Sequence, residues 1–136
     1  MRHPLHPALV HFPVACWSLA VVSDFASLHF GEAAWRCSAG LLAVGCGMAI
    51  LAMLAGLLEL SKVPEGQPLR DTYWHIGLML AAFSLFTVRL LLGLEQFQPV
   101  APNLALLCVN VGGGISLVVG GWFGGRLVYQ HGIGEN

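Results

Sequence analysis

Residues 37–58 read CSAGLLAVGCGMAILAMLAGLL and contain no charged side chain. A helix needs about 20 apolar residues to cross the roughly 30 Å hydrocarbon core of a bilayer, and this stretch is long enough. Three similar stretches follow or precede it, each with a single Asp or Arg. The predicted spans are Ala8–Leu28, Cys37–Leu58, Tyr73–Leu94 and Leu104–Leu127. The chain is therefore predicted to be an integral membrane protein in contact with the lipid bilayer.

The composition supports this prediction. Hydrophobic residues make up 57% of the 136 residues, charged residues only 10%, and the mean hydropathy is +0.75. Soluble domains usually carry about 25% charged residues, so this chain lacks the side chains for a water-facing surface. The formal net charge of −1 excludes electrostatic binding of nucleic acid as a main activity.

The connections between the spans predict an all-α, up-down-up-down four-helix bundle in one domain, residues 1–136. Short connections make neighbouring helices antiparallel, and helices one and three are expected to lie diagonally across the bundle. The longest connection is predicted at Ser61–Arg70. Asp71 is the predicted N-cap of the third helix, and Gly132 is the predicted C′ residue of the fourth.

This topology brings most histidines to one end of the bundle. The first and third helices begin there, and the second and fourth helices end there. The polar residues gathered at that end are His3, His6, His11, Glu59, His75, Tyr129 and His131. Ionisable groups at membrane depth are rare and usually functional, so we expect a site at this end.

Lysine and arginine predict the orientation of the chain. The basic residues at the histidine end are Arg2, Lys62, Arg70 and Arg126, against Arg36 and Arg89 at the other end. Cytoplasmic loops carry an excess of basic residues. Both termini are therefore predicted to be cytoplasmic, in a multi-pass membrane protein.

The leading functional hypothesis is a b-type cytochrome-like electron-transfer protein. His11 and His75 lie about one turn inside the membrane boundary on different helices, which suits the two axial positions of haem b. His6 and His131 are alternative ligands. Arg70 and Arg126 could neutralise the haem propionates. Electrons would pass to a quinone or to a redox partner protein.

Two stripes of small residues lead toward the histidines. They consist of Gly45, Ala49, Ala52 and Gly56 in the second span, and of Gly113, Gly120 and Gly124 in the fourth. Such stripes allow close packing of another helix or of a flat cofactor. The Gly120/Gly124 face also predicts a homodimer contact.

Two other classes of function fit the same residues. His6, His11, His75 and His131 with Glu59 could bind zinc, copper or non-haem iron. Alternatively, the chain could be a structural or accessory membrane subunit without a cofactor. Sequence motifs of hydrolases, zinc proteases and P-loop proteins do not occur, and whether the chain is an enzyme stays open.

Asp24 and Arg89 are predicted to form an ion pair. Asp24 follows His11 on the first helix, and Arg89 follows His75 on the third, by nearly equal intervals of sequence. At a rise of about 1.5 Å per residue, each interval spans roughly 20 Å, so both charges reach a similar depth near the opposite surface. The pair would connect the first helix to the third.

The chain resembles the bacterial membrane proteins grouped as domain of unknown function 2231, and the resemblance implies a location in the bacterial inner membrane. The resemblance rests on HPALVHFP at 6–13, Asp24, His75, Arg89 and GGRLVYQHG at 124–132, and it covers essentially the whole chain. Some members of that family are joined to Rieske-type iron–sulfur domains, so the resemblance implies a redox setting. It also implies that His6, His11, His75 and His131 are the family's motif histidines.

Overall fold

The computed structural model describes residues 5–133, and helices account for most of them. The helices are α1 (Leu5–Phe30), α2 (Glu32–Leu60), α3 (Gln67–Leu92) and α4 (Leu104–Tyr129). A short antiparallel hairpin of β1 (Leu94–Glu95) and β2 (Gln98–Pro99) precedes α4. Each helix is long and apolar enough to cross a membrane. The predicted all-α membrane bundle is confirmed.

The ends of the helices differ from the predictions in one important place. The third helix begins at Gln67 after Gly66, whose φ is +97°. Asp71 is therefore not an N-cap but a buried residue inside the helix, 1% exposed. Pro68 explains the earlier start, because proline is well accommodated in the first turn of a helix. The connection at 61–66 is therefore shorter than the predicted Ser61–Arg70.

Glycine ends α4 as predicted. Gly132 has a φ of +64°, and its N–H donates to the Val128 carbonyl. The next N–H, of Ile133, donates to the Leu127 carbonyl at 2.9 Å. The bond from Gly132 is the 5→1 bond of the αL capping motif, and both bonds satisfy carbonyls left over at the helix end.

The helices pack as two hairpins. Helix α1 packs along α2 and α3 packs along α4, with fewer contacts between the two pairs. Only Gly31, at φ +66°, separates α1 from α2. The backbones of α1 and α3 do not lie side by side, which agrees with the predicted diagonal placement. The α1–α2 and α3–α4 hairpins therefore face each other across the centre of the bundle.

The two hairpins repeat the same internal packing. In the first, Trp17 packs against Gly45, and in the second Phe86 packs against Gly113. Phe86 lies 69 positions after Trp17, and Gly113 lies 68 positions after Gly45. The rings of Trp17 and Phe86 stack on each other with centroids 4.8 Å apart. Contact between equivalent residues is what a local two-fold axis between two similar units produces.

The aromatic stack forms the centre of the hydrophobic core. The buried cluster around it consists of Trp17, Ala20, Leu42, Cys46, Ala49, Ala82, Phe86 and Leu117. None of these residues belongs to the last two turns of α2 or to the first two turns of α3. The densest packing is therefore in the middle of the bundle and not at its histidine end.

Candidate functional site

His6 and His75 meet at the end of the bundle where α1 and α3 begin. Their ring centroids are 6.2 Å apart, and the ring planes make an angle of 84°. Both side chains are half-buried. His75 lies 69 positions after His6, so the two histidines are equivalent residues of the two hairpins, like Trp17 and Phe86.

Each of these histidines is held by the second helix of its own hairpin. His6 Nδ1 lies 2.7 Å from the Ala52 carbonyl, and His75 Nδ1 lies 2.8 Å from the Gly120 carbonyl. A carbonyl oxygen only accepts hydrogen bonds, so Nδ1 carries the hydrogen in both rings. In a neutral imidazole the lone pair is then on Nε2. Neither Nε2 has a hydrogen-bond partner among residues 5–133.

Two glycines make room for the rings. A Cβ at Gly56 would lie 2.9 Å from His6 Nδ1, and one at Gly124 would lie 2.9 Å from His75 Cε1. Each glycine comes one turn after the residue whose carbonyl accepts the histidine bond. The small-residue stripes therefore face the interior, where they accommodate imidazole and aromatic rings.

This packing corrects the predicted dimer face. Gly120 faces Met79 and Leu78 of the same chain, and Gly124 faces His75. The Gly120/Gly124 face is therefore occupied within the bundle and is not available to a second copy. The adjacent Gly121 has open space where its side chain would be.

His11 does not lie opposite His75. It is exposed on the surface of α1, and its only hydrogen-bond contact within the described residues is a long one of 3.4 Å to the Ala8 carbonyl. The cause is helical geometry, because a residue five positions after His6 points to a different side of α1. The two histidine rings that the fold brings together are those of His6 and His75, not those of His11 and His75.

His131 belongs to a separate cluster around Asp71. Its Nε2 lies 3.1 Å from Asp71 Oδ2, and the Arg126 guanidinium forms an ion pair with the same oxygen at 3.2 Å. Gln67 Nε2 donates to the other carboxylate oxygen at 2.9 Å. The cluster fastens the first turn of α3 to the end of α4. It also fixes the helix that carries His75, which lies one turn after Asp71.

Two further predicted residues, Glu59 and Arg70, belong to the helix ends on this side of the bundle. Glu59 is half-buried and Arg70 is exposed, and neither side chain forms an ion pair with any residue in 5–133. No group of three or more His, Cys, Asp or Glu side chains that could hold a metal ion was found in that part of the chain. The predicted residues His3 and Arg2 lie outside the described residues.

Aromatic side chains flank the same end on the outside. The Arg126 guanidinium carbon lies 5.0 Å from the centre of the Trp122 ring, within cation–π range. Trp74 stacks on Phe123 with centroids 6.0 Å apart. Trp74 and Trp122 are more than half exposed, as expected of residues at the interface between lipid and water.

The opposite half of the bundle contains the ion pair expected between α1 and α3. Arg89 Nε and one terminal nitrogen donate to the two oxygens of Asp24 at 2.7 and 2.8 Å. Asn110 Nδ2 of α4 donates to Asp24 Oδ2 at 2.7 Å. All three side chains are at most 3% exposed. The paired, hydrogen-bonded geometry is the arrangement that lowers the cost of burying charge.

The pairing of His6 with His75 could have been predicted from the sequence. The interval from His6 to Trp17 equals the interval from His75 to Phe86, and the glycine pairs Gly45/Gly56 and Gly113/Gly124 repeat it. Comparison of the two halves of the chain would have matched His6, not His11, with His75. The cluster around Asp71 had no such signal, because it depends on where α3 begins.

A family model described as a predicted membrane protein family, DUF2231, matches residues 2–136. The chain belongs to this family. No curated protein and no solved structure gives a match. In this DUF2231 protein, the motif histidines have distinct environments: His6 and His75 face each other, His131 contacts Asp71, and His11 is exposed.

Proposed function

We propose that this protein binds a b-type haem between its two hairpins, with His6 and His75 as axial ligands, and that it transfers electrons within the membrane. The observation that carries the proposal is the facing pair of imidazoles, one from each hairpin, 6.2 Å apart. Each presents Nε2 as its free nitrogen, because Nδ1 is bound to a backbone carbonyl.

The separation of the rings matches two imidazoles on opposite sides of one metal ion. A bond of about 2.0 Å from metal to nitrogen, plus about 1.1 Å from nitrogen to ring centre, gives about 6.2 Å between two opposed ring centres. Porphyrin supplies four nitrogens to its iron, so two protein ligands complete the coordination. Zinc in a structural site usually needs four protein ligands.

The backbone carbonyls and the glycines prepare both imidazoles for this role. A hydrogen bond from Nδ1 to a carbonyl fixes the tautomer and the ring orientation, and it raises the basicity of Nε2. The carbonyls of Ala52 and Gly120 provide these bonds, and Gly56 and Gly124 leave room for the rings. A bound haem supplies reversible one-electron chemistry at its iron.

Basic residues at the same end support the binding of haem propionates. Arg70 is exposed and makes no ion pair within residues 5–133, so its guanidinium is available to a carboxylate. Arg126 is held by Asp71 and Trp122, which would fix its position for a second propionate. We expect a quinone or a redox partner protein to exchange electrons with the haem at this end.

The orientation proposal also gains support. Arg89 is buried in an ion pair, so it does not count among the basic residues of the loops. Arg36 then stands against Lys62, Arg70 and Arg126 at the histidine end. The positive-inside bias therefore favours cytoplasmic termini in the bacterial inner membrane. Any homodimer would use the face of α4 at Gly121, where an added side chain would meet open space, and not Gly120/Gly124.

The test is the absorbance spectrum and metal content of protein purified from haem-replete cells. We expect a Soret band and one iron per chain, and a ferric EPR signal of the strongly anisotropic low-spin type that perpendicular imidazole planes produce. His6→Ala and His75→Ala should each abolish six-coordination. His11→Ala and His29→Ala are the matched controls, since both residues are exposed, and they should leave the spectrum unchanged.

Other results would select a different function. A colourless preparation with stoichiometric zinc or copper, lost in both His6→Ala and His75→Ala, would replace haem by a bare transition-metal ion. A preparation without haem and without metal would leave a structural or accessory membrane subunit. A Soret band that depends on His11 would overturn the assignment of the ligands.

A further inference from the structure

We propose that the α1–α2 and α3–α4 hairpins are tandem copies of one membrane unit, and that the Asp24–Arg89–Asn110 cluster restricts their pairing to one hairpin of each kind. The proposal concerns the interface between the hairpins. It does not depend on which ligand, if any, the histidines bind.

The equivalence of the hairpins extends through their buried faces. The buried residues of α2 that have a buried counterpart in α4, 68 positions later, are Ser38, Leu42, Gly45, Ala49 and Ala52. Their counterparts are Leu106, Asn110, Gly113, Leu117 and Gly120. On α1 and α3 the buried pairs Pro13/Ala82, Trp17/Phe86 and Ala20/Arg89 follow a shift of 69 positions. The two units thus bury the same faces.

Such equivalence creates a problem of partner choice. At a two-fold interface the same patch is used on both sides, so it is self-complementary. The stacked aromatic rings and the facing histidines would be reproduced if two α1–α2 hairpins from different copies paired. Shape alone therefore does not distinguish the correct pairing, of α1–α2 with α3–α4, from a pairing of two identical hairpins.

The ion-pair cluster is the part of the interface that is not repeated. The position equivalent to Asp24 in the second hairpin is Gly93, and the position equivalent to Arg89 in the first is Ala20. The equivalent of Asn110 is Leu42. The carboxylate thus comes from one hairpin only, and both of its side-chain donors come from the other.

This asymmetry penalises both wrong pairings. Two α1–α2 hairpins would bury two carboxylates without a cation, and Leu42 would replace the amide donor. Two α3–α4 hairpins would bury two guanidinium groups without a carboxylate. Unpaired charges inside a membrane are strongly unfavourable. Specificity between similar partners is commonly achieved by such unfavourable charge placement in the wrong complex.

A cross-linking experiment on the full chain distinguishes the two kinds of pairing. Cys46 Sγ lies 3.6 Å from Thr87 Oγ1, so Thr87→Cys reports the contact between unlike hairpins. Ser18 is the equivalent of Thr87 in the first hairpin, so Ser18→Cys reports a contact between like hairpins of two copies. Both variants are made with the other native cysteines changed to Ala, and oxidised in detergent and in vesicles.

With Asp24 and Arg89 intact, we expect an intrachain disulfide in the Thr87→Cys variant and no interchain disulfide in the Ser18→Cys variant. With Asp24→Leu and Arg89→Leu together, the interchain product of Ser18→Cys should rise at least severalfold. The exchanged variant, Asp24→Arg with Arg89→Asp, should suppress it again, because each hairpin would still carry only one sign of charge.

Two results would overturn the proposal. If the doubly neutral variant keeps its intrachain product and gains no interchain product, the cluster does not select the partner. If it loses both products, the cluster stabilises the helices themselves and does not choose between pairings.

Discussion

The histidine end and the ion-pair end of this bundle are parts of the same interface between hairpins. They differ in which hairpin supplies the hydrogen-bond partners of their polar side chains. At the ion-pair end, Asp24 is fully buried and both of its oxygens accept bonds from side chains of the other hairpin. At the histidine end, the neighbouring rings of His6 and His75 each bond through Nδ1 to their own hairpin, and neither Nε2 has a hydrogen-bond partner among residues 5–133.

This difference assigns a separate task to each end. A polar group that is satisfied by the opposite hairpin fastens the two hairpins together. A polar group that is oriented by its own hairpin, with a free atom at the interface, is prepared for something that enters between them. The ion-pair end is therefore called the closed end, and the histidine end, where we propose that a ligand binds, the prepared end.

The largest effect is expected from breaking the closed end on one side only. Asp24→Leu or Arg89→Leu should each destabilise the protein by about 3–5 kcal/mol, because a single buried charge is left without its partner. The double variant Asp24→Leu/Arg89→Leu should lose much less stability than the sum of the losses in the two single variants. Thermal unfolding in detergent measures the double-mutant cycle. Additive effects would show that the two charges do not depend on each other.

A smaller effect is expected at the prepared end from Gly124→Ala. The new Cβ would lie 2.9 Å from His75 Cε1, and moving the ring would break its bond to the Gly120 carbonyl. We expect a loss of about 1–3 kcal/mol in the free energy of unfolding, as for other overpacked sites, together with loss of the ligand spectrum. Gly121→Ala is the control, because nothing lies within 4 Å of its new Cβ. Equal behaviour of the two variants would contradict the role of Gly124.

Removal of His131 should have a modest effect on stability only. In His131→Ala, Asp71 keeps its hydrogen bond from Gln67 and its ion pair with Arg126, so we expect a loss of about 1 kcal/mol in the free energy of unfolding. Because His131 contacts Asp71 and not the facing histidines, the absorbance spectrum should not change. A changed spectrum with unchanged stability would mean that His131 is a ligand.

The smallest effect is expected at the β-hairpin beyond the closed end. Gln96 and Phe97 have φ values of +49° and +62°, in the left-handed region that favours glycine. Phe97 is 94% exposed, so its side chain contributes no packing within the bundle. Phe97→Gly should therefore raise the free energy of unfolding by about 1 kcal/mol or less in detergent. A loss of stability only in vesicles would indicate that the ring is anchored in lipid.

The fold was predictable because hydropathy alone identifies helices that must cross a bilayer. The four spans, their antiparallel order and the pairing of Asp24 with Arg89 all follow from length, loop size and depth. His11 was expected opposite His75 because the prediction considered only depth in the membrane and not the direction of the side chain around the helix axis. His11 has a suitable depth, but it lies on the exposed side of α1, and His6 is the neighbour of His75. The burial of Asp71 was missed because its position depends on one extra turn at the start of α3.

The spacing of His6 and Trp17, which His75 and Phe86 repeat, restricts where the length of this chain can change. The spacing corresponds to about three helical turns, or roughly 16 Å, so the imidazole and the aromatic ring lie on the same side of their helix. A single inserted residue between them would rotate one by about 100° relative to the other and turn it toward lipid. Insertions and deletions should therefore be confined to residues 61–66 and 93–103. These segments lie between helices, so a change in their length does not rotate one side chain relative to another around a helix axis.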